Sequence, residues 1–333
     1  MKRHMSEFHP TISQLAPPLA PDSSTPLNMV CSEDAHEHAH NLRDWQQHYD
    51  QISAGEFYGH ILERPFEGMQ VFHERTSRSL SQSCLVWPDS IWLGIPLNNQ
   101  QESRINGLAL DADNIMCRPG NTEFELTTPD DFDIFGIVIN EHQLQEQANK
   151  QGIDINWMDI TANERLAIPA STLSSIKYLL NRLLDEKQLQ HTRQTPDHLT
   201  QDLITMGLLD IFEQEAPNQK IHTSYRHRHT IVQTAREYVA KHPDKALTLS
   251  ELCEACHTSR RTLQNSFETI LGLSPIQYLR FTRLNGVRRD LKTADHSETV
   301  GDIAARWGFW HLGQFAKDYK NVFGELPSES LGR

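Results

Sequence analysis

Three groups of residues in this chain have types and spacings that could do chemistry. Cys253-Glu254-Ala255-Cys256-His257 has the C-x-x-C-H pattern that attaches haem covalently. His36, His38 and His40 alternate, which on an extended strand would set three imidazoles on one side, in reach of a metal ion. The third group is a run of donors and cations: Arg260, Arg261, Gln264 and Asn265, then His311, Gln314 and Lys317. Arginine can meet guanine with two parallel hydrogen bonds, and glutamine or asparagine meets adenine likewise, so this group has the chemistry for reading base edges.

The first two groups have plainer readings. Cys253 and Cys256 fall with Leu249 and Leu252 at i, i+3, i+4 and i+7, one face of a helix, where they pack as core. The histidines stand at the edge of a polar segment rich in Pro, Ser, Thr and His, with no cysteine beside them, and a solvated tail is expected. Neither haem nor metal is assigned, and the fold requires no cofactor. The third group needs a scaffold that holds it against a duplex.

That scaffold is written twice. Thr248 and Glu251 form a capping box ahead of the Leu249 face, a short turn at His257-Thr258 follows, and Ser259 is an N-cap. The next helix turns Leu263, Phe267 and Leu271 inward and stops at Gly272, with Pro275 beyond. Val300, Ile303, Ala304 and Trp307 repeat the first face 51 residues later. Phe315, Tyr319 and Phe323 repeat the second face 52 residues later, ending at Gly324 and Pro327, so one residue is inserted in the second turn. Two short helices meeting at such a turn are a helix-turn-helix unit, whose second helix can enter a major groove. Between the copies a helix from about Ser274 to Lys292 carries Leu279, Leu284, Val287 and Leu291 inward and Arg280, Arg283, Arg288 and Arg289 elsewhere. It fixes the spacing of the recognition helices and offers phosphate contacts. The candidate DNA-binding residues are therefore Ser259, Arg260, Arg261, Thr262, Gln264, Asn265, His311, Gln314 and Lys317, with Arg283 and Arg288 on the backbone.

The charge of the whole chain argues against a polyanionic partner until it is divided. The 333 residues carry a net charge of −13, yet residues 222–333 hold 16 Lys+Arg against 12 Asp+Glu, leaving 15 against 32 in residues 1–221. Such segregation is expected when one part of the chain meets nucleic acid. The five cysteines do not look like a disulfide framework, no apolar run reaches the length needed to cross a bilayer, and MKRHMSEFHP has no apolar stretch behind its basic start. A cytoplasmic protein is expected.

Upstream of the repeat the signals change. Residues 1–40 read as a flexible tail, and 41–215 as a ligand-sensing domain that also mediates self-association. Between Phe57 and Ile139, short apolar runs such as Ile91–Ile95 and Ile134–Ile139 are broken by prolines at turn-like spacing, which predicts strands. Leu173, Ile176, Leu180 and Leu183 then form a helical stripe, either a dimer seam or core, with the seam favoured. A second helix covers about Leu199 to Phe212, residues 216–228 read as a linker, and 229–333 as the DNA-binding domain. Trp87 and Trp92 could line an effector pocket or be plain core, and Glu123 and Glu125 could hold a cationic amine or face water. No nucleophile–base pair or glycine-rich phosphate loop supports an enzyme; a redox or metal sensor using Cys84 and Cys117 is the alternative regulator.

The segment Gly308-Phe309-x5-Phe315-x3-Tyr319-Lys320-x3-Gly324-x2-Pro327, with Ile303-Ala304-x2-Trp307 and Arg283-Leu284, resembles the signature of AraC/XylS-type transcription regulators. The resemblance implies an α+β protein: a β-rich, cupin-like sensor domain with trailing helices, then an all-α domain of two tandem helix-turn-helix units. It also implies promoter DNA and RNA polymerase as partners, a small-molecule inducer, and a homodimer. Where the family has Ser or Asp after Gly-Phe to cap the second recognition helix, this chain has Trp310-His311, so that cap is expected to be missing. Residues 82–88, 118–126, 259–265 and 307–315 further resemble the ethanolamine-responsive branch of the family in enteric bacteria. This implies an activator of ethanolamine catabolic genes, with ethanolamine as inducer and adenosylcobalamin as co-inducer.

Overall fold

Ile134 to Ile139 is an unbroken apolar run because the strand that carries it is covered on both faces. The computed structural model describes residues 27–98, 102–157, 162–184, 196–213, 223–242, 245, 247–295 and 297–332. In it, β11 (Phe132–Asn140) lies at the middle of a seven-stranded antiparallel sheet. The order is β1 (Asn28–Ser32), β3 (Gly59–Phe66), β4 (Met69–Thr76), β11, β6 (Ser90–Pro96), β9 (Asn114–Pro119), β12 (Arg165–Ala167). A second antiparallel sheet has the order β2 (Gln46–Gln51), β5 (Leu80–Leu85), β10 (Phe124–Thr128), β7 (Arg104–Ile105), β8 (Leu108–Ala109). Ile134 and Val138 of β11 join the core that includes Leu80, Phe124 and Leu126 of the second sheet. Phe135, Ile137 and Ile139 join the core shared with α2 (Glu141–Gln151), α3 (Ala170–Leu183) and α4 (Asp197–Glu213). Within the seven-stranded sheet Gly94 of β6 pairs with Gly136 of β11, and a Cβ there would lie 2.5 Å from the Trp92 ring or 2.0 Å from the Phe72 ring. The paired glycines make room for those two rings.

Four expectations change here. Residues 28–40 are not tail: Asn28–Ser32 pairs with β3, and α1 (Ala35–His38) carries His36 and His38, with His40 in the turn that follows, so the three do not line one side of a strand. His38 is buried, its Nε2 3.0 Å from the Glu74 carboxylate; residues 1–26 lie outside the described residues. Leu173, Ile176 and Leu180 are core against the sheet and α4, so the stripe is not an open seam. Trp87 and Trp92 are core as well, 1% and 2% exposed, with Trp92 stacked on Phe124. Residues 223–228, expected in the linker, begin α5 (Thr223–Ala240), and 216–222 lie outside the described residues.

The rest of the chain is helical: α5, α6 (Leu249–Ala255), α7 (Arg260–Leu271), α8 (Pro275–Thr293), α9 (Val300–Arg306), α10 (Leu312–Phe323) and α11 (Pro327–Ser330). The cap signals in the sequence act where they stand. Thr248 with Glu251, Ser274 with Gln277 and Thr299 with Asp302 all form capping boxes, and Gly272 and Gly324 end α7 and α10 in the left-handed region. The rod α8 belongs to two cores. Tyr278 and Leu279 pack with Leu252, Leu263 and Phe267; Leu284, Val287 and Leu291 pack with Ile303, Phe315 and Tyr319. Gly286 allows Trp307 to lie against the rod, since a Cβ there would come within 2.2 Å of its ring. Among the described residues no helix is long and apolar enough to cross a membrane.

Candidate nucleic-acid interface

The two helix-turn-helix turns are built alike. In the first, the His257 and Thr258 amides donate to the Glu254 and Cys253 carbonyls; in the second, Gly308 and Phe309 donate to Ala305 and Ala304. Both turns pass through the left-handed region, at φ 47° for His257 and 77° for Gly308. Phe309 and Trp310 then stand where the first copy has Thr258 alone. Phe309 packs on the second core, which identifies Trp310 as the inserted residue, and it is 74% exposed.

The expected reading residues reach solvent on the N-terminal halves of α7 and α10. Ser259 caps α7 by accepting from the Thr262 amide. Arg260, Arg261 and Asn265 are exposed, while Thr262 and Gln264 are half-buried, Gln264 donating to Glu268. On α10, His311, Gln314 and Lys317 are exposed, and Gln314 donates to Asp318 at 2.6 Å. His311 occupies the N-cap position without a side-chain cap, as the Trp310-His311 departure leads one to expect. Trp310, treated in the sequence only as that departure, is the bulky group beside this reading end. Its insertion one residue out of the repeat was the signal that could have found it.

The two backbone-contact candidates are placed differently. Arg288 is not on an open face: it bonds the Asp34 carboxylate at 2.5 Å and Glu325 at 2.8 Å and lies over the Phe323 ring. Arg283 is half-buried and donates to the Leu247 carbonyl at 2.6 Å. Arg288 is committed to those two carboxylates, and Arg283 lines a cavity between the domains. Both were misread for one reason: an inward-facing arginine on a rod has the same spacing as an outward one.

Arg288 is one part of a broad contact between the domains. Arg289 pairs with Asp50 at 2.7 Å, and Lys292 with Asp34 at 3.3 Å and Glu37 at 2.6 Å. Burial alone would raise Asp34, but the Arg288 guanidinium and Lys292 override it and hold the carboxyl below its usual range. Asp50 is likewise lowered despite burial, by His48 and Arg289. Beside these pairs, the Gln51 amide donates to Asn285 Oδ1 at 3.1 Å and Asn285 Nδ2 donates to the Gln51 carbonyl at 2.9 Å. The β-rich domain touches the C-terminal end of each recognition helix. The Gln51 side chain and the Gly55 amide both donate to the Val322 carbonyl of α10. Gly107, in the β7–β8 turn, comes so close to α7 that a Cβ there would lie 2.6 Å from Ile270.

Of the effector candidates, Trp87 and Trp92 line no open site, and Glu125 is engaged by Arg236 of α5 at 2.5 Å. Burial still raises Glu125, Arg236 only partly offsetting it. Glu123 is exposed and accepts from the Ser83 hydroxyl at 2.7 Å. Cys84 and Cys117 are buried in separate cores, and burial pushes the Cys84 thiol far above its usual pKa, so they form no joint sensor. Cys253 and Cys256 pack in the first helix-turn-helix core.

Residues 252–333 match the family described as a helix-turn-helix domain. They form a helix-turn-helix domain similar to those of operon regulators and of an AraC family protein. The chain is 42% identical over 102 residues to the probable thc operon regulatory protein of Rhodococcus erythropolis, covering 30% of this chain and 31% of that protein. It is 33% identical over 96 residues to the XylDLEGF operon transcriptional activator 2 of Pseudomonas putida, covering 28% of this chain and 61% of that one. The solved structure of a probable AraC family transcriptional regulator from Rhodopseudomonas palustris is 31% identical, covers 31% of this chain and 97% of that one, and superposes with a TM-score of 0.29. The chain thus spans about a third of the first relative and less than two thirds of the second. The likeness to these relatives is a likeness of the helix-turn-helix domain.

Proposed function

We propose that the protein is a transcription activator that holds double-stranded promoter DNA in two successive major grooves per chain and is switched by a small molecule. One observation carries this reading. The N-terminal halves of α7 and α10 present Arg260, Arg261, Asn265, Gln314 and Lys317 to solvent, while their C-terminal ends rest on one domain. The names of its relatives, an operon regulatory protein and an operon transcriptional activator, support regulation of an operon, with RNA polymerase as the further partner. Footprinting of the full chain tests it: one chain should protect two segments ~34 Å apart on one face of the duplex. With ~6–10 phosphates neutralised, affinity should fall ~10³–10⁵-fold between 50 and 200 mM salt. Protection of a single groove, or a salt-insensitive complex, refutes it.

The pathway reading rests on resemblance at residues 82–88 and 118–126, which supports ethanolamine with adenosylcobalamin as inducers. Glu123 is the carboxylate left for an amine, since Glu125 is held by Arg236. A ligand at a hundredfold excess over Kd stabilises the folded state by about 2.7 kcal/mol. The melting temperature should therefore rise with adenosylcobalamin and further with ethanolamine, the second rise being lost in Glu123→Gln. No response to either compound removes this pathway and leaves the DNA reading standing.

A further inference from the structure

A cavity of about 590 Å³ lies between the domains, within the size range of small-molecule sites. The β-rich domain contributes Asp50, Glu123, Phe124 and Glu125 among others to its wall; α5, the segment after it, α8 and the second turn supply the other side. Its apolar lining includes Phe124, Leu247, Tyr278, Leu279 and Trp307. Most of the charge in the wall is already matched. Arg236 pairs with Glu125, Arg289 with Asp50, and Lys245 with Glu251. Glu123 and Glu237 are exposed, and water can satisfy them. Arg283 is the exception. Its guanidinium is half-buried, gives one bond to the Leu247 carbonyl, and among the described residues meets no carboxylate. Burial lowers its pKa, a cost that an anion beside it would remove.

We propose that this interdomain cavity is an effector site for an organic anion, an apolar, ring-sized body whose carboxylate, sulfonate or phosphate pairs with Arg283. The proposal goes beyond the inducer suggested by resemblance and does not depend on it. A ligand held there touches the sensor sheet, α5 and α8 at once, so it bears on both halves of the protein without entering either core.

The probe is 1-anilinonaphthalene-8-sulfonate on the full-length chain, with uncharged N-phenyl-1-naphthylamine as its neutral counterpart. Titration should give one saturable site per chain, with emission sensitised from tryptophan because Trp307 lines the cavity. The sulfonate should bind at least tenfold tighter than the neutral compound. Arg283→Gln should erase that preference, Arg283→Lys should restore part of it, and Thr282→Trp should fill the space and abolish binding of both. Absence of a saturable site overturns the proposal. So does equal affinity of the two probes for the unmodified chain, or a preference unchanged in Arg283→Gln. Footprinting of the same samples separates the readings: two grooves protected without probe binding would sink the cavity site alone.

Discussion

Asn285→Ala should uncouple the two domains while leaving each folded. Asn285 pairs with the Gln51 backbone as a neighbouring strand would, taking its N–H and covering its C=O, and the two residues are 5% and 1% exposed. Alanine leaves both backbone groups buried without that partner. Each costs about 1–3 kcal/mol, about 2–6 together. Water admitted to the vacated space can satisfy one of them, which sets the expected loss at about 1–3 kcal/mol of docking free energy. The third bond of Asn285, to the Phe281 carbonyl, lies within α8, and its loss is minor. Calorimetry of the full chain reads the effect. The unmodified protein should melt with its domains coupled, and the variant should resolve into two transitions. Asn285→Asp should do the same, because it retains an acceptor for the Gln51 amide but sets a carboxylate against the Gln51 carbonyl. If Asn285→Ala melts as the parent does, within about a degree, the contact contributes nothing to docking and the reasoning fails.

The other predictions concern single sites. His257→Gly should stabilise the protein by about 0.5–1 kcal/mol, because a left-handed residue costs about 1–2 kcal/mol and glycine returns part of that as chain entropy; a shift in denaturant midpoint checks it. Arg288→Ala should cost about 3 kcal/mol of stability, since it strips one cation from buried Asp34 while Lys292 stays 3.3 Å away. Its folded fraction should bind DNA as the parent does, which distinguishes it from a phosphate contact. Arg261→Ala should leave stability unchanged and cost about 1–3 kcal/mol of binding, relaxing preference at one or two base pairs in a selection assay. The lowered pKa values of Asp34 and Asp50 mean their contribution is present above the ordinary value of 3.8 and lost as pH falls through the folded values. Docking should therefore loosen on strong acidification, and Asp34→Asn should flatten that dependence in a pH series of calorimetric scans.

The C-terminal architecture was legible because its signals are local. Thr248 and Glu251, Ser259 and Gly272 act on backbone groups within a turn of themselves, and the faces of α6, α7, α9 and α10 repeat within the helices that bury them. In the β-rich domain the runs around β6 and β11 marked strands, but not which face each residue meets. That depends on sheets assembled from distant segments. The same distance hid the role of Arg288, whose partner Asp34 lies 254 residues away. A hint existed in the charge totals: a strongly acidic first part beside a basic second part can answer its own cations as well as a duplex. The cavity between the domains left no mark on any one stretch of sequence, since its wall is drawn from β2, β10, α5 and α8 together.

Gripping both recognition helices by their C-terminal ends makes each of them a lever. Both α7 and α10 have 12 residues, about 18 Å at the usual rise. A tilt of about 5° at the held end moves the far end by about 1.5 Å, half the length of a hydrogen bond. A shift of that size spoils register with base edges yet barely alters attraction to the phosphate backbone. The sensor can then govern which operators are read by aiming the helices, without ever covering them, and an unliganded chain would still travel along DNA while failing to stop at its sites.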